Sequence, residues 1–200
     1  SDLSSLRISE HELNTYMEGI CHAFYSYAEA KQIKLDYKSN FEYQNVWFDK
    51  EKMDSITKNL ISNAIKYTPA HGEVHIIICH DKDNWSLEIT DTGIGIPAKE
   101  QKKLFKLHFR GSNAINAKIT GSGIGLMLVW KLVRIHKGKI SIESVENKGT
   151  RVKVIFPQKQ FRNQQVPTET VQQENVAPVS PSAVSPHTYK DLYRQHVQNT

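Results

Sequence analysis

The segment Asp-Thr-Gly-Ile-Gly-Ile-Pro at residues 91–97 decides the fold, because it places a carboxylate at the mouth of a glycine turn. Apolar and polar residues alternate over residues 85–90 just before it, a pattern that predicts a strand with one buried face. Gly93 and Gly95 let the backbone pass close to a ligand. Asp91 can then accept a hydrogen bond from an exocyclic amine such as that of adenine. A strand followed by an ordinary glycine loop would also explain these residues.

A second glycine cluster, Gly-Ser-Gly-Ile-Gly at residues 121–125, opens an apolar helix further along the chain. Neither cluster has the spacing of a P-loop or of a dinucleotide-binding G-x-G-x-x-G turn. The His-Arg-Asp and Asp-Phe-Gly signatures of serine, threonine and tyrosine kinases are missing from the sequence as well. A nucleotide bound to this chain would therefore need another scaffold.

The composition is that of a globular chain, and 200 residues suit one domain with extensions or two small domains. A net charge of +5 suits a phosphate-bearing ligand or an acidic partner, but no basic block is dense enough to predict contact with nucleic acid. Cys21 and Cys79 form no disulfide framework and no metal-binding spacing, which favours a reducing, cytoplasmic compartment. The longest apolar run, residues 124–130, is too short to span a bilayer.

Hydrophobic periodicity predicts helices and strands that intermingle along the chain. Ser9 and Glu12 form a capping box for a first helix, and Asp49 is a good N-cap for a second helix that ends near Tyr67. Strands are predicted at residues 33–37, 46–48, 73–79, 85–90, 139–144 and 151–156. The remaining predictions are a short helix at 98–106, a mobile loop at 110–121 and an apolar helix at 123–137 that Gly138 caps. This order predicts an α+β fold, a two-layer sandwich whose mixed, mostly antiparallel sheet carries helices on one face.

Four stretches of the sequence resemble, in order, the motifs of sensor histidine kinases. They are the N box at 59–69 (Asn-Leu-Ile-Ser-Asn-Ala-Ile-Lys-Tyr-Thr-Pro), the first glycine box at 91–97, the F box at 104–110 (Leu-Phe-Lys-Leu-His-Phe-Arg) and the second glycine box at 121–126. Lys-Gly-Thr at 148–150, before an alternating strand, also fits. The resemblance covers about residues 10–157. It implies the Bergerat ATP-binding fold, which gyrase B subunits, MutL and the heat-shock chaperone ATPases share.

The resemblance implies that this chain binds ATP and Mg²⁺ through the N-box helix. Asn59 and Asn63 lie four residues apart, so both face one side of a helix. We assign Asn63 to the metal, because an amide oxygen can complete a Mg²⁺ shell of phosphates and waters, and Asn59 to the neighbourhood of the phosphates and metal. Lys66 would supply a charge to the phosphates, and Tyr67 an aromatic surface beside the purine. A solvated helix face with Tyr67 in the core is the alternative.

The resemblance also assigns roles to residues outside that helix. Asp91 would bind the adenine amine, and Thr150 the base directly or through water, unless Thr150 merely begins a strand. Arg110 would touch the γ-phosphate, unless it is a solvated loop arginine. N–H groups at the start of the last long helix would meet the phosphates, where the helix dipole favours negative charge. The other expected nucleotide contacts are Gly93, Gly95, Ile96, Gly121, Ser122, Gly123, Ile124, Gly125 and Leu126.

Two positions depart from the wider pattern. His108 stands where the F box usually carries a second aromatic residue, and we assign it no chemistry. Asn59 stands where hydrolytic relatives carry a water-activating glutamate, so we expect ATP to be held without efficient hydrolysis. In sensor kinases the nucleophile is a histidine on a separate two-helix dimerisation domain, and positioned ATP would await that group.

Residues 9–15, Ser-Glu-His-Glu-Leu-Asn-Thr, superficially resemble the box of that phosphoacceptor histidine, but we reject this interpretation. Tyr16 replaces the expected proline, and the capping box would place His11 in the first turn of a helix. The interval between His11 and Asn63 must already hold a helix, two strands and most of the N-box helix. It leaves no room for the partner helix of a dimerisation domain.

The flanking segments predict a longer, multidomain protein. We expect residues 1–8 to be a stub of the dimerisation domain and 9–157 to be the catalytic domain. Residues 158–200 are expected to be a flexible linker, because five of the seven prolines fall at residue 157 or later. Such a tether suits a hybrid kinase with a receiver domain in the same chain. The full-length protein is expected to be a homodimer anchored in the inner membrane. Alternatives are an ATPase or an anti-sigma-type serine kinase of the same fold, and a noncatalytic nucleotide-sensing module.

Overall fold

The computed structural model describes residues 5–105, 110–116, 119 and 123–162, and for residues 115 and 116 it describes only the backbone. All of them belong to one compact unit, Ser1–Gln165. The first elements are β1 (Ile8–Glu12), α1 (Leu13–Ala30), β2 (Lys34–Ser39), β3 (Asn45–Asp49), α2 (Lys50–Tyr67), β4 (Glu73–His80) and β5 (Asn84–Asp91). They are followed by a 3-10 helix (Ala98–Lys103), α3 (Ser112–Asn116), α4 (Gly125–Ile135), β6 (Lys139–Val145), β7 (Gly149–Pro157) and α5 (Lys159–Arg162).

Five of the strands form one sheet in the order β2-β4-β5-β7-β6, in which only the β2–β4 pair is parallel. Alternate residues of β4 and β5 are buried, because successive side chains of a strand point to opposite faces. Strands β1 and β3 form a separate antiparallel pair. The predicted α+β class, with a mixed and mostly antiparallel sheet, is confirmed.

The hydrophobic core lies between the buried sheet face and the helices α1, α2 and α4. Trp85, Phe48 and Phe156 are its largest fully buried side chains, and the Trp85 and Phe156 ring centroids are 4.6 Å apart. Burying a large apolar side chain contributes about 1.5–3 kcal/mol to the free energy of folding. This packing fixes α2 and α4 against the strands that end at Asp91 and begin at Gly149.

The first helix begins later than predicted. Residues 8–12 form β1, which pairs with β3, so His11 lies on a strand and not in the first turn of a helix. Glu12 itself is the N-cap, because its carboxylate accepts the backbone N–H groups of Asn14 at 3.2 Å and Thr15 at 2.7 Å. The predicted capping box is therefore wrong: the Ser9 hydroxyl lies 2.8 Å from His11 Nε2 instead of capping the helix.

The N-box helix α2 has the predicted bounds. Asp49 is its N-cap and accepts the N–H of Lys52 at 3.1 Å, and the helix ends at Tyr67 before Thr68 and Pro69. Asp49 also accepts the backbone N–H of Arg7 at 2.9 Å, which ties the entering chain to the start of α2.

The last long helix, α4, does not use Gly138 as its cap. The C-cap is His136, and Lys137 adopts the left-handed φ of 59°. Lys137 N donates to Arg134 O and Gly138 N donates to Val133 O, both at 2.9 Å, which is the hydrogen-bond pattern of a Schellman motif. Gly138 has a different role, because a Cβ there would lie 2.8 Å from Ile155 O.

His136 joins the end of α4 to the start of α2. Its ring is buried, Nδ1 lies 2.8 Å from Leu132 O, and Nε2 accepts the N–H of Asp49 at 3.2 Å. Because a carbonyl oxygen only accepts, Nδ1 must carry the hydrogen and the ring is neutral in this arrangement. Burial lowers the pKa of His136, which favours the same neutral form.

The segment predicted as a mobile loop at 110–121 contains a packed helical turn. Helix α3 occupies Ser112–Asn116, and Ala114 is only 5% exposed. The Asn113 amide donates to Ile94 O at 3.3 Å and to Gly95 O at 2.9 Å, so α3 is fastened to the glycine turn. The prediction missed this turn because a single helical turn has too few residues to show a period. Residues 106–109, 117, 118 and 120–122 lie outside the described residues.

The packed region continues beyond Pro157, although we placed the start of the linker at residue 158. Gln158 and Phe161 are buried, and Gln158 Oε1 accepts the N–H of Trp47 at 2.7 Å. The backbone N–H of Gln158 donates to Asp83 O at 2.8 Å. These contacts were invisible in the sequence, because composition alone marked the segment as linker. Residues 163–200 lie outside the described residues, and the domain boundaries there stay a prediction.

Candidate functional site

A cavity opens between α2, the start of α4 and one end of the sheet. Backbone groups at this end belong to turns, so side chains and N–H groups can converge on a ligand there. The residues lining the cavity are Leu60, Asn63, Ala64, Tyr67, Ile89, Asp91, Ile94, Gly95, Ile96, Leu104, Arg110, Gly111, Asn113, Ala114, Leu126, Ile142, Thr150 and Val152.

Asp91 is the buried carboxylate of this cavity, with 9% of its surface exposed. Its Oδ1 accepts the N–H groups of Gly93 at 2.8 Å and Thr150 at 3.2 Å. Among the described residues Oδ2 accepts no hydrogen bond. Burial raises the pKa of Asp91 to about 6, although the N–H donors of Gly93 and Thr150 act in the opposite direction. The backbone thus fixes one carboxylate oxygen, and the other oxygen can accept a hydrogen bond from a ligand.

The glycine turn fits closely between its neighbours. A Cβ on Gly93 would lie 2.5 Å from Tyr67 O, and a Cβ on Gly95, whose φ is +63°, would lie 2.0 Å from Val145 O. The N–H of Ile94 donates to Tyr67 O at 3.0 Å. The turn therefore needs glycine at both positions, and it connects the end of α2 to the end of the sheet.

The N-box helix presents Asn63 and Tyr67 to the cavity. Lys66 Nζ lies 4.6 Å from the centroid of the Tyr67 ring, so its charge stands beside the cavity wall. The Asn59 amide donates to Ser55 O at 2.7 Å, and its Oδ1 would lie 2.7 Å from a Cβ on Gly125. The asparagine side chains therefore reach the first residue of α4.

The start of α4 lies at this end of the cavity. Its N-cap residue is Ile124, whose apolar side chain cannot accept a hydrogen bond from the first turn. Leu126 lines the cavity one residue after Gly125. The positive end of the helix dipole favours an anion in this position.

Arg110 and Thr150 complete the polar lining. Arg110 Nη2 donates to Ile119 O, whereas its buried Nε has no hydrogen-bond partner in the described part of the chain. A buried guanidinium N–H without a partner is costly and suits an acceptor supplied by a ligand. The Thr150 hydroxyl lies 2.8 Å from Ser144 Oγ, which holds it at the cavity wall.

The comparison with known proteins agrees with this geometry. A family model described as "Histidine kinase-, DNA gyrase B-, and HSP90-like ATPase" matches residues 48–160, more than half of the chain. The chain belongs to this ATPase family. Circadian input-output histidine kinase CikA of Synechocystis sp. is 31% identical over 163 residues, which are 80% of this chain and 22% of CikA. The chain thus spans about a fifth of the length of that curated relative.

Solved structures show that the fold is that of histidine kinase catalytic domains in this ATPase family. The catalytic domain of histidine kinase ThkA superposes with a TM-score of 0.67 at 24% identity, over 76% of this chain and 98% of ThkA. Full-length ShkA in complex with AMPPNP superposes with a TM-score of 0.69 at 18% identity, over 79% of this chain and 32% of ShkA. Within the described residues, no helix combines the length and apolarity needed to cross a membrane.

Half of the site residues predicted from the ATPase family's motifs line one cavity in the structure. Those that line the cavity are Asn63, Tyr67, Asp91, Gly95, Ile96, Arg110, Leu126 and Thr150. Those that are described but do not line it are Asn59, Lys66, Gly93, Gly123, Ile124 and Gly125. Gly121 and Ser122 lie outside the described residues. The predicted roles in ligand binding stay predictions.

Apart from Ile96 and Leu126, the aliphatic lining of the cavity was missed from the sequence. Ile89 faces the same side of β5 as Asp91, and Ile142 and Val152 are directly paired across β6 and β7. Period-2 alternation in these strands, together with the helical period that places Leu60 and Ala64 inward, was a usable signal. Asn113 carried no comparable signal, because its contacts depend on the path of the chain after Arg110.

Proposed function

We propose that this domain binds Mg²⁺-ATP and presents the γ-phosphoryl group to a histidine on a separate dimerisation domain. It would thereby act as the catalytic part of a protein-histidine kinase. The proposal rests above all on Asp91, because a buried carboxylate with one oxygen held by two backbone N–H groups and the other available is suited to an exocyclic amine. The surrounding lining of Ile89, Ile142 and Val152 suits a planar base.

The phosphate end of the proposed site is positive. The positive N-terminal end of the α4 dipole, the Nε of Arg110, which has no partner among the described residues, and the nearby Lys66 all favour an anion. In the part of the chain that the structure describes, no group of three or more His, Cys, Asp or Glu side chains is placed to hold a metal. A Mg²⁺ ion would therefore depend on the Asn63 amide, phosphate oxygens and water, a ligand set that this hard cation accepts.

Bound Mg²⁺-ATP would supply the transferable phosphoryl group, and the protein would supply position and charge. Asp91 would fix the base, Arg110 and the α4 N–H groups would hold the phosphates, and the apolar cavity would exclude water from the base. Asn59 cannot remove a proton from water, so a better nucleophile from another domain is expected to attack. Breaking the bond from phosphorus to the β,γ-bridging oxygen and forming one to imidazole nitrogen leaves ADP and phosphohistidine.

Two measurements test the proposal. Calorimetry should detect Mg²⁺-dependent ATP binding, and a supplied cognate dimerisation domain should acquire acid-labile, base-stable phosphate only in the presence of this domain and ATP. Absence of ATP binding would refute the proposal as a whole. Binding without transfer would favour a nucleotide-sensing module, and steady-state hydrolysis that Asn63→Ala abolishes would favour an ATPase.

The wider arrangement of the full-length protein is part of the same proposal. We infer that residues 163–200 tether a receiver domain in the same chain, and that the full-length protein is a homodimer anchored in the inner membrane. The CikA and ThkA comparisons support a histidine kinase but do not extend to these features. Sequencing the flanking regions for a helical hairpin with a histidine and for a receiver domain tests this inference directly.

A further inference from the structure

The C-terminus of the N-box helix α2 has an unusual cap. A helix leaves its last four carbonyl groups without intrahelical partners, and a glycine in the left-handed conformation commonly completes them. Here the C-cap Thr68 is extended, with φ −98° and ψ 126°, and Pro69 follows. No left-handed residue closes this helix, so other groups must satisfy its carbonyls.

The ammonium group of Lys31 reaches two of these four carbonyls, those of Ile65 and Lys66, and the carbonyl of the C-cap residue as well; Ile65 O also accepts the N–H of Thr68 at 3.4 Å. The Lys31 side chain extends from the end of α1 and donates to Ile65 O at 2.7 Å, to Lys66 O at 3.1 Å and to Thr68 O at 3.3 Å. Three convergent carbonyl oxygens match the three N–H donors of an ammonium, and the negative end of the helix dipole adds to the attraction. This group of atoms, Lys31 Nζ with Ile65 O, Lys66 O and Thr68 O, is the ammonium cradle.

The remaining carbonyls of the last turn have other partners. Ala64 O accepts the Thr68 hydroxyl at 2.7 Å, and Tyr67 O accepts the N–H of Ile94 in the glycine turn at 3.0 Å. Among the described residues, Lys66 O and Thr68 O have only Lys31 as a side-chain donor. Removing the ammonium would therefore leave the last turn of α2 free to fray.

That turn is part of the candidate site. It carries Lys66 and Tyr67, it follows Asn63 by less than one helical turn, and its Tyr67 carbonyl fixes the glycine turn beside Asp91. We propose that Lys31 is a positioning residue for nucleotide binding, acting through the ammonium cradle without touching the ligand. This inference rests on the proposed ATP-binding function.

Chemical rescue tests the cradle. Lys31→Ala should weaken ATP binding about tenfold, since hydrogen bonds to a charged donor are lost. Ammonium or methylammonium chloride should restore the affinity, because a small cation can enter the vacated cradle. Tetramethylammonium chloride at the same ionic strength, which has no N–H donor, should not. Lys34→Ala is the matched control, because Lys34 is exposed on β2 and its side chain makes no hydrogen bond among the described residues.

Each outcome either supports or overturns the role of Lys31. Wild-type affinity in Lys31→Ala, or weakened affinity that ammonium does not restore, would overturn the inference. If Lys31→Ala does not fold, Lys31→Met keeps the apolar stem without the charge, and unchanged affinity in that protein would overturn the inference as well. If the wild type itself binds no ATP, the proposed function fails. Hydrogen exchange at the Ile94 amide, which should speed up in Lys31→Ala and slow again with ammonium, then still tests the cradle.

Discussion

Replacing Asp91 with asparagine should stabilise the nucleotide-free protein while it abolishes adenine nucleotide binding. The pKa of Asp91 is about 6 in the folded protein against 3.8 as its ordinary value. The difference of roughly two pKa units corresponds to about 3 kcal/mol of free energy. Because the folded pKa is the higher one, the folded state keeps the proton longer, and stability is lost as pH rises from about 4 to 6. Above pH 6 the buried carboxylate is charged, and it lowers the free energy of unfolding by its full amount.

The asparagine variant avoids that cost, and its Oδ1 can still accept the N–H groups of Gly93 and Thr150. Urea unfolding should therefore show Asp91→Asn more stable than the wild type by up to about 3 kcal/mol at pH 7 and by much less near pH 4. Calorimetry at pH 7.5 should show no ATP binding by the variant, because the amide lacks the carboxylate charge. In the wild type, affinity should decline as pH falls through about 6.

Asp83→Asn is the matched control, because Asp83 is exposed in the hairpin between β4 and β5. The free energy of unfolding of Asp83→Asn should depend on pH in the same way as that of the wild type. A stability difference between Asp91→Asn and wild type that does not grow between pH 4 and pH 6 would refute the reasoning about burial. Wild-type ATP affinity in Asp91→Asn would refute the assignment of the base-binding site.

Four further substitutions test the glycine turn, the packing of α3 and the stability of the surrounding fold. Gly95→Ala should lower the free energy of unfolding in urea by more than about 1 kcal/mol, because φ is +63° and the Cβ meets Val145 O. Gly19→Ala, whose Cβ meets nothing within 4 Å inside α1, should raise it by about 0.5–1 kcal/mol. Asn113→Ala should raise both the association and dissociation rates of ATP in stopped-flow measurements, because α3 loses its bonds to the glycine turn. His136→Gln should remove the contribution of the buried imidazole to the pH profile, which is a loss of stability as pH falls below 6.5, since the unfolded state takes up that proton first.

For three of these substitutions, the opposite result would contradict the structural argument. Equal stability of Gly95→Ala and Gly19→Ala would show that the glycine turn tolerates a side chain. Unchanged stopped-flow rates in Asn113→Ala would mean that α3 does not restrict access to the cavity. Parallel pH–stability profiles for wild type and His136→Gln would mean that the imidazole is not held neutral by its surroundings.

Local patterns predicted the elements whose determinants are local. Helix α2 has both its N-cap, Asp49, and its breaker, Pro69, in the sequence, so its bounds were predicted correctly. Strand β5 alternates cleanly because one face is buried along its whole length, and β4 was predicted from its apolar composition over residues 73–79. Strand β1 was missed because its pairing with β3 depends on residues far away in sequence, and long-range pairing overrides a local capping pattern.

In the candidate site, too, features with local determinants were predicted and features that depend on long-range contacts were not. The acidic and glycine positions of residues 91–97 alone also fit an ordinary glycine loop, and their role was predicted because four motifs follow one another in the order of the family. Lys31 was not, because nothing in its neighbourhood indicates that its ammonium reaches the carbonyls of a helix more than thirty positions away. Gln158 was hidden for a similar reason, since its contact with Trp47 joins opposite parts of the chain.

Strand β3 anchors both flanks of the domain. Asp49 holds the backbone of Arg7, Trp47 holds the side chain of Gln158, and these two strand positions are only about 7 Å apart. Modules fused before and after the domain would therefore emerge as neighbours, on a strand that contributes no residue to the cavity. A short loop could join the two flanks, as in a circular permutant. A displacement of one flank would be transmitted through β3 to the other flank before it reached the cavity.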